Sequence, residues 1–197
     1  MFWRVIIILL FTLTKPIMTF SQISTNTERN GLFLYSFAKY INWSVFVDQK
    51  ALIIGVAGSD EVYRYMQNTY RDRTIGTRKI RIKKVSRMDA ADCQILYISK
   101  LQTPENIVLL EYVRHLQVLI VTDCIANNPE IDIAILSKGL SPENYFLKIN
   151  RQNIRLKGLK ISMELSGLGK ETTWAPRTFF VHATPLDYFS KQEPFAL

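Results

Sequence analysis

Leu52-Ile53-Ile54-Gly55-Val56-Ala57 is an unbroken apolar run of strand length, and Gly58-Ser59-Asp60-Glu61 follows it directly. A strand that is apolar at every position is buried on both faces, as in a parallel sheet with helices above and below it. Gly58 and Ser59 end the run, while Asp60 and Glu61 suit a first helical turn, where the positive end of the backbone dipole favours carboxylates. Val62, Met66 and Tyr70 then give the helix an apolar stripe. The unit is a strand, a turn and a helix.

Further along the chain the unit recurs. Gln94 to Ile98 is a second apolar strand, Thr103 and Pro104 fit an N-cap and a first helical residue, and Ile107, Leu110 and Val113 are expected to face inward. Val118 to Val121 is the next strand. Lys79 to Val85 differs, because Ile80 and Ile82 alternate with Lys79, Arg81 and Lys83, so one face is wet. Ile131, Ile133 and Ile135 alternate with Asp132 and Ala134, and Tyr145, Leu147 and Ile149 with Phe146 and Lys148. Those two segments read as edge or antiparallel strands. Asn150 can cap a short helix from Arg151, and Gly158 can close it in a left-handed conformation. Upstream, Thr25 and Glu28 have capping-box spacing before Leu32, Phe33, Phe37, Tyr40 and Ile41, which predicts a helix from about Glu28 to Trp43. Arg29, Ser36, Lys39 and Asn42 take its other side. The expected fold is α/β: a single domain with a mostly parallel mixed sheet and helices on both faces.

Composition agrees with one core. The chain has 197 residues, 48% of them hydrophobic, too apolar for general disorder and without the 20 to 50 residue repeat of a solenoid. Arg4, the apolar run Val5 to Phe11, and Thr19 and Ser21 ahead of Gln22 read as a secretory signal peptide over residues 1–21. Lys15 and Pro16 break the run short of the roughly 18 to 20 apolar residues of a spanning helix. Losing Arg4 and Lys15 takes the net charge from +8 to +6. The α/β domain is expected over 22–169, with a proline- and aromatic-containing tail over 170–197 and one strand in it, Arg177 to Ala183. Export across the inner membrane excludes ATP- and NAD-driven cytosolic chemistry and disfavours nucleic acid as a partner.

The search for chemistry leaves little. Two histidines, His115 and His182, are too few for a zinc centre, and neither H-E-x-x-H nor C-x-x-C occurs. No G-x-S-x-G elbow accompanies His182 and Asp187. Gly55, Gly58 and Ser59 satisfy no phosphate-loop pattern, and Asp60 and Glu61 would repel a phosphate. Asp89 and Asp92 read as solvated carboxylates. The basic stretch Arg71 to Lys84 could meet anionic lipid, glycan or protein, but its alternation with Ile80 and Ile82 already accounts for a solvated face. No catalytic residue, metal site or cofactor is therefore expected. Cys93 and Cys124 are either one disulfide in an oxidising compartment or two free thiols.

Three segments together resemble the YfiR-like family of small periplasmic proteins. Phe33-Leu34-Tyr35-Ser36-Phe37-Ala38-Lys39-Tyr40-Ile41-Asn42-Trp43 is similar to the family's opening aromatic helix. Cys93-Gln94-Ile95-Leu96-Tyr97-Ile98-Ser99 resembles its C-x-I-L-x-I-S strand, and Phe146-Leu147-Lys148-Ile149-Asn150 with Gly158-Leu159-Lys160-Ile161-Ser162 its closing pattern. Asn127-Asn128-Pro129-Glu130 stands where the family often has a Gly-Gly turn, and Arg151-Gln152-Asn153-Ile154-Arg155 where its helix is Ala-rich. The resemblance implies a non-enzymatic modulator of a membrane-bound signalling protein such as a diguanylate cyclase or sensor kinase; a homodimer is compatible with that role. A periplasmic module binding a small molecule or glycan is the alternative. Lys39, Trp43 and Trp174 are the candidate partner contacts, with Trp43 open to a second role as a cap on the core edge.

Overall fold

A computed structural model describes residues 24–43, 50–124, 128–137, 145–163, 165 and the backbone of 169–171. The expected leader over 1–21, the tail strand at Arg177 to Ala183, and Trp174 and His182 lie outside the described residues. Helix α1 (Thr25–Tyr40) runs into the short strand β1 (Ile41–Asn42). The first strand–helix unit is β2 (Ala51–Ala57) and α2 (Asp60–Tyr70), followed by β3 (Thr74–Ile75) and β4 (Arg78–Lys84). A 3-10 turn (Arg87–Asp92) leads to β5 (Ile95–Ile98), α3 (Pro104–Val113) and β6 (Leu119–Thr122). Then come β7 (Ile133–Ser137), β8 (Tyr145–Ile149), α4 (Arg151–Leu156), β9 (Lys160–Ile161) and β10 (Gly169–Glu171).

Eight strands form one sheet in the order β10-β8-β7-β6-β5-β2-β4-β3, and β1 pairs with β9 apart from it. Five of the seven pairings in the large sheet are parallel; β7 with β8 and β3 with β4 are antiparallel. The sheet is mixed and mostly parallel, as expected. Period-two alternation divides its side chains between two cores. Leu52, Ile54, Tyr97, Leu119 and Ile133 meet Leu34 and Phe37 of α1 and Met66 of α2 on one face. Leu96, Ile98, Ile120 and Ala134 meet Leu109, Leu110 and Val113 of α3 and Ala90 of the 3-10 turn on the other. Each fully buried Leu, Ile or Phe contributes about 1.5–3 kcal/mol by leaving water, so two covered faces explain why β2 and β5 are apolar throughout and β6 as far as Val121.

Caps and turns follow the sequence closely at α2 and α4. The Ser59 hydroxyl accepts from Val62 N–H at 3.3 Å, Asn150 Oδ1 accepts from Asn153 N–H at 3.1 Å, and Gly158 has φ +72°. At α1 the cap is Ser24, whose hydroxyl accepts from Thr27 N–H, so the cap lies one residue before Thr25 and the helix begins at Thr25 rather than about Glu28. Its buried side includes Asn30, Gly31, Phe33, Leu34, Phe37 and Ala38, whereas Leu32 faces solvent. Gly31 makes the crossing of α1 over α2 possible: a Cβ there would stand 2.5 Å from the Tyr65 ring and 3.1 Å from Met66 Sδ. Gly55 is also a packing glycine, with Val85 and Cys93 filling the space its side chain would take.

Of the two alternatives expected for β7 and β8 the antiparallel one holds, and neither is an edge strand, because β6 flanks one and β10 the other. Asp132, although it alternates with isoleucines, is fully buried: its Oδ2 accepts from Lys157 Nζ at 2.5 Å and from Ile120 N–H at 2.7 Å. Lys157 Nζ also donates to Val118 O at 2.9 Å, so this pair ties the end of α4 to the amino ends of β6 and β7. In α3, Ile107 points outward and Asn106 and Leu109 inward.

Candidate functional site

Strand order sets where a ligand-sized crevice can open. β2 connects outward to β4 through α2 on one face, and β5 connects the opposite way to β6 through α3 on the other. The carboxyl ends of β2 and β5 are therefore a topological switch point, the usual place for ligands in open α/β sheets. Gly58 (φ +78°) passes against Ser99 O and Asn106 Nδ2 with no room for a Cβ. Asn106 Nδ2 donates to Ser99 O at 2.7 Å and Lys100 O at 3.1 Å, holding the turn in which Lys100 takes φ +54°.

The first turns of α1 lie over these strand ends and form a polar cluster with them. Asn30 Nδ2 donates to the Tyr97 hydroxyl at 3.0 Å and to Asp123 Oδ2 at 3.3 Å, and Ser99 Oγ donates to the same carboxylate oxygen at 3.4 Å. Beside them Thr27 Oγ1 donates to Glu61 Oε2 at 3.3 Å. Burial, then the neighbouring Asp123 carboxylate, raises the Tyr97 pKa well above the usual tyrosine range, so this hydroxyl keeps its proton. Asn30 is only 2% exposed, yet its Oδ1 has no hydrogen-bond partner. An amide acceptor buried without a donor costs about 1–3 kcal/mol, which a donor group of a small ligand or water would recover. The cluster can bind and orient a polar group.

The residues nominated from sequence are dispersed. Trp43 is 2% exposed and its indole N–H donates to Ala38 O at 3.4 Å, so it caps the core edge and offers a partner no surface. Lys39 is exposed, its Nζ 5.0 Å from the Tyr40 ring centroid. The two cysteines are free. Ile98 is level with Thr122 in the parallel register, and Cys124 follows just beyond Thr122. Cys93 lies before the start of β5, so at about 3.3 Å per residue it stands roughly 16 Å along the sheet from the level of Thr122, against the 7 Å limit between the Cα atoms of a disulfide. In this structure the two thiols do not pair. Burial pushes the Cys93 thiol up to about 12. His115 is exposed beyond the end of α3. In the basic stretch Lys84 pairs with Asp60 at 2.7 Å, Lys83 with Asp92 at 3.8 Å and Arg71 with Asp72 at 3.3 Å, a mostly solvated face. No three His, Cys, Asp or Glu side chains converge among the described residues.

One surface was missed. Ile107, Val108 and Tyr112 of α3 are exposed, as is Met88 of the 3-10 turn packed beside it, and Arg87 stacks over Tyr112 at 5.5 Å. The signal was in the sequence: Ile107-Val108-Leu109-Leu110 puts four apolar residues in one helical turn, and a helix cannot face all of them inward. Apolar side chains grouped on a surface mark contact with another molecule.

A family model described as YfiR/HmsC-like matches residues 28–170, from the second turn of α1 to β10. The chain belongs to the YfiR/HmsC-like family. YfiR-like proteins are periplasmic regulators, and no helix among the described residues is long and apolar enough to cross a membrane. Within the YfiR-like opening motif Phe33, Phe37, Ala38, Ile41 and Trp43 are buried, so most of that motif records how α1 packs on the sheet. No curated protein matches the chain. Among solved structures, an ABC domain in complex with L-Trp from Streptococcus pneumonia aligns with a TM-score of 0.44 at 8% identity. That alignment covers 71% of this YfiR-like chain and 59% of the other, less than two thirds of its length.

Proposed function

We propose that this protein is an exported, non-enzymatic regulator that binds the exported part of a membrane-bound signalling protein, such as a diguanylate cyclase or a sensor kinase. The observation that carries the reading is the YfiR/HmsC-like match across the whole α/β domain. The apolar outer face of α3, with Ile107, Val108, Tyr112 and Met88, is the surface we assign to that contact. Lys39 and Trp174 are further contact candidates, and a homodimer is compatible with the assignment. The direct test is deletion of the gene with measurement of the cell's cyclic dinucleotide level and sensor-kinase output. A change in one of them, restored by the wild-type protein and not by a variant lacking residues 1–21, supports the reading; unchanged signalling opposes it.

A second reading has its own observation, the buried Asn30 Oδ1 with no donor at the switch point. A small ligand bearing a hydroxyl or ammonium group would supply that donor and pin α1 to β5 and β6. Thermal shift against ligand panels tests it: a ligand that raises Tm for the wild type and not for Asn30→Leu supports binding there. A panel with no stabilising compound removes this reading and leaves the first intact.

A further inference from the structure

A groove of about 340 Å³ opens between α4 and β9, lined by Arg151, Ile154, Arg155, Leu159, Lys160 and Ile161. Its floor is apolar, since Ile154 and Leu159 are buried, and no carboxylate is among its lining residues. Arg155 and Lys160 are exposed and form no ion pair among the described residues. This contrasts with the basic stretch on the far edge of the sheet, where Arg71, Lys83 and Lys84 each meet a carboxylate. Leu156, at the end of α4, and Met163, just beyond β9, are 65% and 88% exposed. Lys39 adjoins β9, because Ser162 N–H donates to Tyr40 O at 3.0 Å and β1 pairs with β9.

Cations at the rim of an apolar-floored groove, next to protruding Leu and Met side chains, match the layering of a bilayer surface: phosphate headgroups outside, acyl chains beneath. We propose that the α4–β9 end of the molecule docks on an anionic phospholipid surface, with Arg155, Lys160 and Lys39 against headgroup phosphates and Leu156 and Met163 among the upper acyl carbons. The occupant is chosen by charge complementarity together with the paired apolar side chains; an acidic protein face would use the cations and leave Leu156 and Met163 in water. The inference does not depend on which membrane protein is regulated, because the surface assigned to that contact is the outer face of α3.

The test is co-sedimentation of the exported protein, purified from periplasmic extract, with vesicles of phosphatidylethanolamine and phosphatidylglycerol, and with pure phosphatidylcholine. Binding to the anionic vesicles that weakens from 50 to 300 mM salt is expected, with little to phosphatidylcholine. Arg155→Glu/Lys160→Glu is expected to weaken partitioning at least about tenfold, and Leu156→Ser/Met163→Ser several-fold. Arg71→Glu/Arg81→Glu, at the far edge, is expected to bind as the wild type does. All four substituted sites in the first two variants are exposed, and an unchanged melting curve confirms folding. No binding to anionic vesicles, or equal loss in the far-edge variant, overturns the proposal. A protein that ignores vesicles and still regulates its membrane partner would overturn this inference alone.

Discussion

Cys93 and Cys124 differ in environment rather than forming a pair. Cys93 Sγ donates to Asp89 O at 3.6 Å inside the second core, while Cys124 is half-buried at the carboxyl end of β6. A thiol held to a pKa of about 12 by burial stays protonated and unreactive in the folded state. Linkage gives the sign: unfolding frees a thiol of ordinary pKa near 8.5, so Cys93 favours unfolding as pH rises above that value and is neutral to stability below it. At pH 8, iodoacetamide is expected to label Cys124 promptly and Cys93 only at the rate of global unfolding, as read by mass spectrometry of the digested protein. Recovery of a Cys93–Cys124 peptide from non-reduced protein would contradict the register on which this rests. The cysteines also show a limit of sequence: both sit beside apolar strands, and only the parallel pairing of β5 with β6 shows that they lie at opposite ends.

Short elements here are fastened by contacts between residues distant in sequence. The six-residue helix α4 is too short to be stable alone, and Lys157 at its end reaches Asp132, 25 residues earlier. Removing one member of a buried ion pair typically costs about 3–5 kcal/mol, because the remaining charge has no partner. Lys157→Met is expected to lower unfolding free energy by about that amount in urea titration. Lys157→Met/Asp132→Asn should recover part of the loss, since Asn keeps an acceptor for Ile120 N–H while removing the orphaned charge. Equal stability of wild type and Lys157→Met would show that the pair does not form. The alternation Ile131-Asp132-Ile133 hid this contact, because a carboxylate flanked by isoleucines reads as solvent-facing unless its lysine is known. By contrast β2, α2, β5 and the Asn150 and Gly158 ends of α4 were legible, since each is specified by its own neighbours. Asn30, Tyr97, Ser99 and Asp123 could not be assembled from sequence, because α1, β5 and the end of β6 meet only in the folded sheet.

Among the described residues three regions of the molecule stand apart. The carboxyl ends of β2 and β5 hold a buried polar cluster under α1, α3 turns an apolar side to solvent, and the α4–β9 end is basic with protruding Leu and Met. The surfaces proposed for a ligand, a protein partner and a membrane therefore do not overlap. A handful of anchors at the centre of a protein contact cost about 2 kcal/mol or more when truncated, so a charge placed among them should remove binding without touching the core. The measurement that bears most directly on function is photo-crosslinking in living cells from a side chain introduced at Val108, followed by identification of the captured protein. The expected result is one membrane protein with a signalling output domain, lost when Ile107→Glu is added and retained with Asn30→Leu. Capture of no membrane protein from Val108, in cells whose signalling nonetheless responds to deletion, would contradict the assignment of α3 as the regulatory contact.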